Sequence, residues 1–218
     1  AGQTYILRWT ISNGVCIPST DDVQIRLDQS PTTSVAAVTQ TICGTSATLN
    51  GTLPVIGVGV WGFALGGNPD GLGVIADVNS RVSGLSGTAG QSYIVRWTIS
   101  NGVCTASSSD ATINFQQSPT VSAAGADQNF CGSGVTLAGN SPGVGSGVWS
   151  FAPSNLGVGG SITVPLVFNS TFTGTAGQTY ILRWTISNGV CTPSADDVQI
   201  RLDQSPTTSV AAVTQTIC

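Results

Sequence analysis

The 218-residue sequence contains no histidine, no lysine, no glutamate and no methionine. Each absence removes a class of chemistry. Without histidine there is no side chain that titrates near neutrality and no imidazole metal ligand. Without lysine there is no Schiff base, no phosphate-binding ammonium, and no Lys–Asn isopeptide crosslink of the kind that stiffens some pilins. Charge is scarce as well: 7% of residues, all Asp or Arg, with a net charge of −4. A nucleic-acid partner needs a basic footprint, so that class is excluded. No run of 18 apolar residues occurs, so nothing in this segment is expected to insert in a membrane as a helix. No signal peptide is visible.

What is present is repetition. The stretch YILRWTISNGVC from Tyr5 to Cys16 returns as YIVRWTISNGVC from Tyr93 to Cys104, and again as YILRWTISNGVC from Tyr180 to Cys191. The steps are 88 and 87 residues. Residues 1–43 and 176–218 match at 41 of 43 positions, differing only at Ile17 against Thr192 and Thr20 against Ala195. The middle copy differs more, which makes a larger period of 175 residues from two alternating module types. The expected organisation is the C-terminal part of a module over 1–30, complete modules over 31–118 and 119–205, and the N-terminal part of the next over 206–218. On this reading the protein continues at both ends. Each joint reads GlnSerPro with no flexible linker, so neighbouring modules of the same chain are expected to abut.

Alternation predicts the local structure. Tyr93, Val95, Trp97 and Ile99 share one face of an extended chain, and Ile94, Arg96, Thr98 and Ser100 share the other. Ser100-Asn101-Gly102 supplies a turn. Asp110 to Gln117 returns with Ala111, Ile113 and Phe115 alternating, which completes a β-hairpin. Upstream, Thr33–Cys43, Ala47–Leu49 and Val58–Leu65 read as strands, the last with Trp61, Phe63 and Leu65 on one face. Gly66–Gly73 reads as a loop, and Val74–Leu85 holds one or two short strands. About seven strands in 88 residues with no helical period indicate an all-β fold of tandem immunoglobulin-like sandwich modules in an extended array. Trp61, Trp97, Trp149 and Trp184 are core candidates, as are Tyr93 and Tyr180 at the position of a tyrosine corner.

Six cysteines stand at 16, 43, 104, 131, 191 and 218, spaced 27, 61, 27, 60 and 27. Without histidine or CxxC pairs they read as disulfide cysteines in an oxidising, extracellular compartment, not as a zinc site. No cofactor and no metal is expected. Asp21-Asp22 and Asp196-Asp197 have carboxylates that calcium favours, but adjacent strand residues point to opposite faces. Arg96 and Arg183 point away from the core; an anionic ligand and a neighbouring Asp compete as partners. Asn68-Pro69-Asp70-Gly71 is either a plain turn or an exposed binding loop.

The pattern QTICGTSATLNG, then VGVWGF, then YIVRWTISNGVC, resembles the PKD-like, immunoglobulin-fold repeats of very large Bacteroidota surface proteins. AGADQNFCGSGVTLAGN, from Ala124 to Asn140, resembles the same opening. The family's WDFGDG signature is here WGFALG and WSFAPS, so any role of its acidic residues does not carry over. The resemblance implies a cell-surface adhesin or filament exported by the type IX system, including gliding-motility adhesins. Its ligand would be an unknown surface or glycan bound at a distal part. It also admits the alternative of spacer or carbohydrate-binding accessory modules in a secreted enzyme. In a sandwich of this topology Cys43 ends the first strand and Cys104 precedes the last, parallel one, which puts the two at opposite ends of the module. That favours a cross-module bond of Cys43 with Cys191. Intramodule bonds of Cys43 with Cys104 and Cys131 with Cys191, in a variant topology, remain open.

Overall fold

The computed structural model describes residues 2–36 and 38–211; Cys218 lies outside them. The chain folds as two compact units, residues 1–116 and 117–218. All regular structure among the described residues is β.

The first unit opens with a hairpin of β1 (Gln3–Ile11) and β2 (Ser19–Leu27), paired only with each other. Seven strands follow: β3 (Gln40–Cys43), β4 (Ser46–Asn50), β5 (Val58–Phe63), β6 (Val74–Ile75), β7 (Val82–Ser86), β8 (Ser92–Ser100) and β9 (Ser107–Gln116). They form two sheets, β3-β9-β8-β5 and β4-β7-β6. All pairings are antiparallel except β3 with β9, which is parallel. The second unit repeats this with β10 (Gln128–Cys131), β11 (Gly134–Thr136), β12 (Ser146–Phe151), β13 (Ser161–Ile162), β14 (Thr171–Thr173), β15 (Thr179–Ser187) and β16 (Ser194–Asp203). Its sheets are β10-β16-β15-β12 and β11-β14-β13, again with a parallel first-to-last pair. A four-stranded sheet facing a three-stranded one, with these crossovers, is an immunoglobulin-like sandwich.

The alternation seen in the sequence builds the core. Along β8 the burial alternates, and Tyr93, Val95, Trp97 and Ile99 are all at most 1% exposed. Trp61 lies opposite Trp97 in register, with ring centroids 4.8 Å apart; Trp149 and Trp184 repeat the pair at 5.1 Å. Each indole N–H is satisfied by a backbone carbonyl: Trp97 by Thr52, Trp61 by Arg81, Trp149 by Phe168 and Trp184 by Asn140. The Trp97 ring leaves no room beneath it. A Cβ at Gly59 would stand 2.1 Å from its Cζ2, and Gly147 holds the same place against Trp184. Glycine in mid-strand here is a steric requirement.

Two expected strands are shorter than the sequence suggests. The first strand, expected from Thr33, is regular only from Gln40. Before that the chain is held by hydroxyls: Ser107 and Ser109 accept from the Ser34 and Ala36 amides, and Ser34 Oγ donates to Trp97 O. These side-chain bonds take the place of a ladder. The third strand ends at Phe63, and Leu65 is fully exposed, because the chain turns at Gly66 with φ +73° and Gly67 N donates to Ala64 O.

Candidate functional site

The most repeated local structure is the turn at the end of the signature stretch. Asn101 O accepts from Cys104 N at 3.1 Å, and Gly102 takes φ +54°. The same bond and the same glycine conformation recur at Asn13-Gly14-Val15-Cys16 and Asn188-Gly189-Val190-Cys191. Positive φ at the first central position of this four-residue turn is a conformation Gly takes without strain. The turn asparagine then reaches out of its hairpin. Asn101 Nδ2 donates to Gln29 O at 2.7 Å, and Asn188 Nδ2 donates to Gln117 O at 2.8 Å. Gln29 and Gln117 are the glutamines of the GlnSerPro joints. The turn of each sandwich is therefore fastened to the linker through which the chain enters it. Sequence pattern alone identifies the turn and the linker separately; a bond between residues 71 or 72 positions apart leaves no periodic trace.

The cysteines among the described residues sort into two groups. Cys43 and Cys191 are disulfide-bonded, while Cys16, Cys104 and Cys131 are free thiols. Neither intramodule pair of the open alternative is therefore made, since Cys104 and Cys131 are unbonded. The parallel register explains why. Cys43 lies opposite Gln116 at the end of β9, whereas Cys104 precedes Ser107 at its start. The ten residues of β9 separate them by about 30 Å, against a Cα limit of about 7 Å for a disulfide. In the second unit Cys131 lies against Ser205 Oγ at 3.6 Å, beside the exit linker, and Cys191 Sγ lies 3.2 Å from Gln117 O at the entry linker.

The arginines on the outer faces are paired across their hairpins. Arg96 Nε and Nη2 donate to the two oxygens of Asp110 at 2.7 and 2.8 Å; Arg183 does the same to Asp197, and Arg8 to Asp22. Each arginine is directly opposite its aspartate in register. The guanidinium hydrogen bond holds Asp22, Asp110 and Asp197 below the usual carboxylate range and raises the arginines. Asp196 faces the other way, accepting from Ala124 N at 2.7 Å. The two carboxylates of Asp196-Asp197 are thus engaged on opposite faces. No group of three or more Asp, Cys, Glu or His side chains able to hold a metal ion exists among the described residues.

The loop at Asn68-Pro69-Asp70-Gly71 serves the tyrosine. Tyr93 OH donates to Asp70 at 2.9 Å and accepts from Thr88 N at 2.8 Å. Asp70 is held below the usual carboxylate range, first by the Thr88 side chain, then by Leu72 N–H, with Tyr93 adding to it. In the second module Tyr180 OH accepts from Thr175 N and donates to Val158 O. Both are tyrosine corners closed to backbone five residues upstream; they differ in whether a carboxylate or a carbonyl takes the proton. A surface cleft in the first unit is lined by Leu53, Pro54, Gly57, Asn79, Arg81 and Trp97. Its single charge, Arg81, donates to Asn50 Oδ1, and it holds no carboxylate or thiol.

No protein-family model matches the chain, and no curated protein matches it. Among solved structures, the insect immune protein hemolin is similar over 91% of this chain and 56% of its own, at 13% identity and TM-score 0.47. Sidekick-1 immunoglobulin domains 1–5 are similar over 89% and 45%, at 9% identity and TM-score 0.49. The human desmocollin-1 ectodomain is similar over 93% and 47%, at 12% identity and TM-score 0.31. The chain spans about half the length of each. The fold assignment rests on the strand order and registers themselves.

Proposed function

We propose that this chain is a structural repeat segment of a long extracellular surface filament or adhesin, of the PKD-like kind found in Bacteroidota and including those that serve attachment or gliding. Its modules divide at Pro31, Pro119 and Pro206. The observation that carries the reading is the recurrence of one closed sandwich with one linker-fastening turn, in two copies whose tryptophans and tyrosines are buried and whose hairpin arginines are paired with aspartates. Trp61, Trp97, Trp149 and Trp184 are buried and cannot stack on a sugar. Arg96 and Arg183 are each paired with an aspartate, which neutralises the charge an anionic ligand would seek. A surface used up in this way suits a module whose work is to persist and to hold its neighbours. Ligand recognition then belongs to another part of the protein.

Immunogold electron microscopy of intact, unfixed cells, with an antibody to the repeat, tests this. Label strung along fibres projecting from the surface is the expected result. Antigen absent from cells and found in the medium on an enzyme-sized particle would replace the filament with the spacer of a secreted enzyme.

A further inference from the structure

We propose that the Asn101-Gly102 turn is a seat for the closing end of the hairpin before it, and that this seat makes the joint at Gln29-Ser30-Pro31 stiff. All the contacts lie within the first unit. Hairpin β1–β2 closes on Arg26-Leu27-Asp28-Gln29, and two of these residues reach the turn. Gln29 O accepts from Asn101 Nδ2 at 2.7 Å. The Asp28 carboxylate lies against Gly102, where a Cβ would stand 2.8 Å from Oδ2. Glycine is thus required at 102 for two reasons, its φ of +54° and the closeness of this carboxylate.

The burial of Asp28 shows that the seat is filled. Both hairpins carry the same ion pair, Arg26 with Asp28 and Arg201 with Asp203, each at 2.7 Å. The Asp203 side chain is 48% exposed, although its strand has a further neighbour in Cys131; the Asp28 side chain is 12% exposed. What covers Asp28 is the turn at Gly102. Arg26 compensates the charge, which makes a carboxylate tolerable in so covered a place. The far side of the linker is pinned as well. Thr32 N donates to Ile56 O at 3.0 Å, and Thr32 Oγ1 accepts from Val55 N and Ile56 N at 2.9 Å. Between the pins at 29 and 32 stand only Ser30 and Pro31, and proline has a fixed φ. The chain cannot swivel there without giving up these bonds. Asp-Gln-Ser-Pro returns at 203–206, one 175-residue period on, whereas 116–119 reads Gln-Gln-Ser-Pro without the carboxylate. Wherever the repeat continues, a carboxylate-seated joint recurs once per period. Its purpose rests on the filament reading: such joints resist bending of the array.

Residual dipolar couplings of the purified full chain, weakly aligned and read by NMR, test the joint independently of where the protein resides. Backbone amides of hairpin 3–27 and of the sandwich strands within 40–116 are expected to fit one alignment tensor. Asn101→Ala and Thr32→Val each remove a pin. In each, the hairpin's couplings should shrink and need a tensor of their own, while the sandwich's couplings still fit together and show that the variant has folded. Asn13→Ala, the same change in the hairpin's own turn, should leave the common fit intact. Separate tensors in the unsubstituted chain would overturn the proposal. So would a common tensor that survives Asn101→Ala and Thr32→Val combined. A failed immunogold result would leave the stiff joint standing, and a loose joint would leave the surface location standing.

Discussion

The hairpin β1–β2 and the hairpin β15–β16 are almost the same sequence in two situations. Their registers are the same: Tyr5 opposite Ile25 and Trp9 opposite Asp21, as Tyr180 is opposite Ile200 and Trp184 opposite Asp196. Their arginine–aspartate pairs are the same. Their turns carry the same glycine conformation. Yet Trp9, whose hairpin has no second sheet to pack on within these 218 residues, is 72% exposed, and Trp184 is 1% exposed. Pairing, register and turn are therefore written into the local sequence of one hairpin, through alternation and Asn-Gly. Burial is not. It comes from the three-stranded sheet β11-β14-β13 and from Gly147, which lets the Trp184 ring lie flat on the strand beside it. The hairpin is a prefabricated part, and the sandwich is what makes its aromatic face a core.

Substitutions can break this comparison or sharpen it. The largest expected contrast is at tryptophan. In the isolated 218-residue chain Trp97→Ala and Trp184→Ala should each cost about 3–5 kcal/mol, while Trp9→Ala in the same motif should change stability by less than about 0.5 kcal/mol. Denaturant unfolding under fixed redox conditions reads the three side by side, and equal costs would mean that the first hairpin is covered too. Next, Gly59→Ala and Gly147→Ala should each destabilise their own module by about 1–3 kcal/mol, because the added methyl overlaps an indole that has nowhere to go. Gly62, with nothing within 4 Å of its Cβ position, should accept alanine. Near-equal effects at 59 and 62 would show that strand propensity, not the ring, sets the requirement.

Much of this is legible in the sequence. Repeat length, seven strands, the tryptophan face and the tyrosine position all follow from alternation and spacing, because sheets impose a period of two on whatever they bury. The parallel first-to-last pairing, and with it the separation of Cys43 from Cys104, follows from sandwich topology. What is not legible depends on single side chains bonding to distant backbone. Ser34, Ser107 and Ser109 replace a stretch of ladder. Asn101 and Asn188 tie turns to linkers. Asp70 anchors a tyrosine 23 residues away, where its loop reads equally well as a binding loop. Leu65 shares the alternation of Trp61 and Phe63 but lies past the point where the chain turns.

A smaller effect separates the two tyrosine corners. Tyr93→Phe and Tyr180→Phe should each lose about 0.5–1.5 kcal/mol, but only the first should alter behaviour in acid. Asp70 has a depressed pKa when folded. Its contribution is present above the unfolded aspartate value of about 3.9 and lost as pH falls through the lower folded value. Amide exchange at Thr88 should therefore accelerate below about pH 4 relative to Thr175, and Asp70→Asn should abolish the difference. The smallest effect belongs to Arg96→Gln and Arg183→Gln, whose exposed pairs are screened by solvent. Weak loss of stability that fades as pH falls below the aspartate range is expected, and a large loss would assign these pairs a structural weight their exposure does not give them.

The most direct measurement is hydrogen exchange at the five indole N–H groups, followed by NMR under oxidising conditions. In the isolated 218-residue chain, closed sandwiches, each assembled around its own copy of one locally specified hairpin, predict four slow indoles and one fast. The slow ones are Trp61, Trp97, Trp149 and Trp184, each donating to a carbonyl of its own module; the fast one is Trp9. Five slow signals, or fast exchange at either member of a buried pair, would contradict the account.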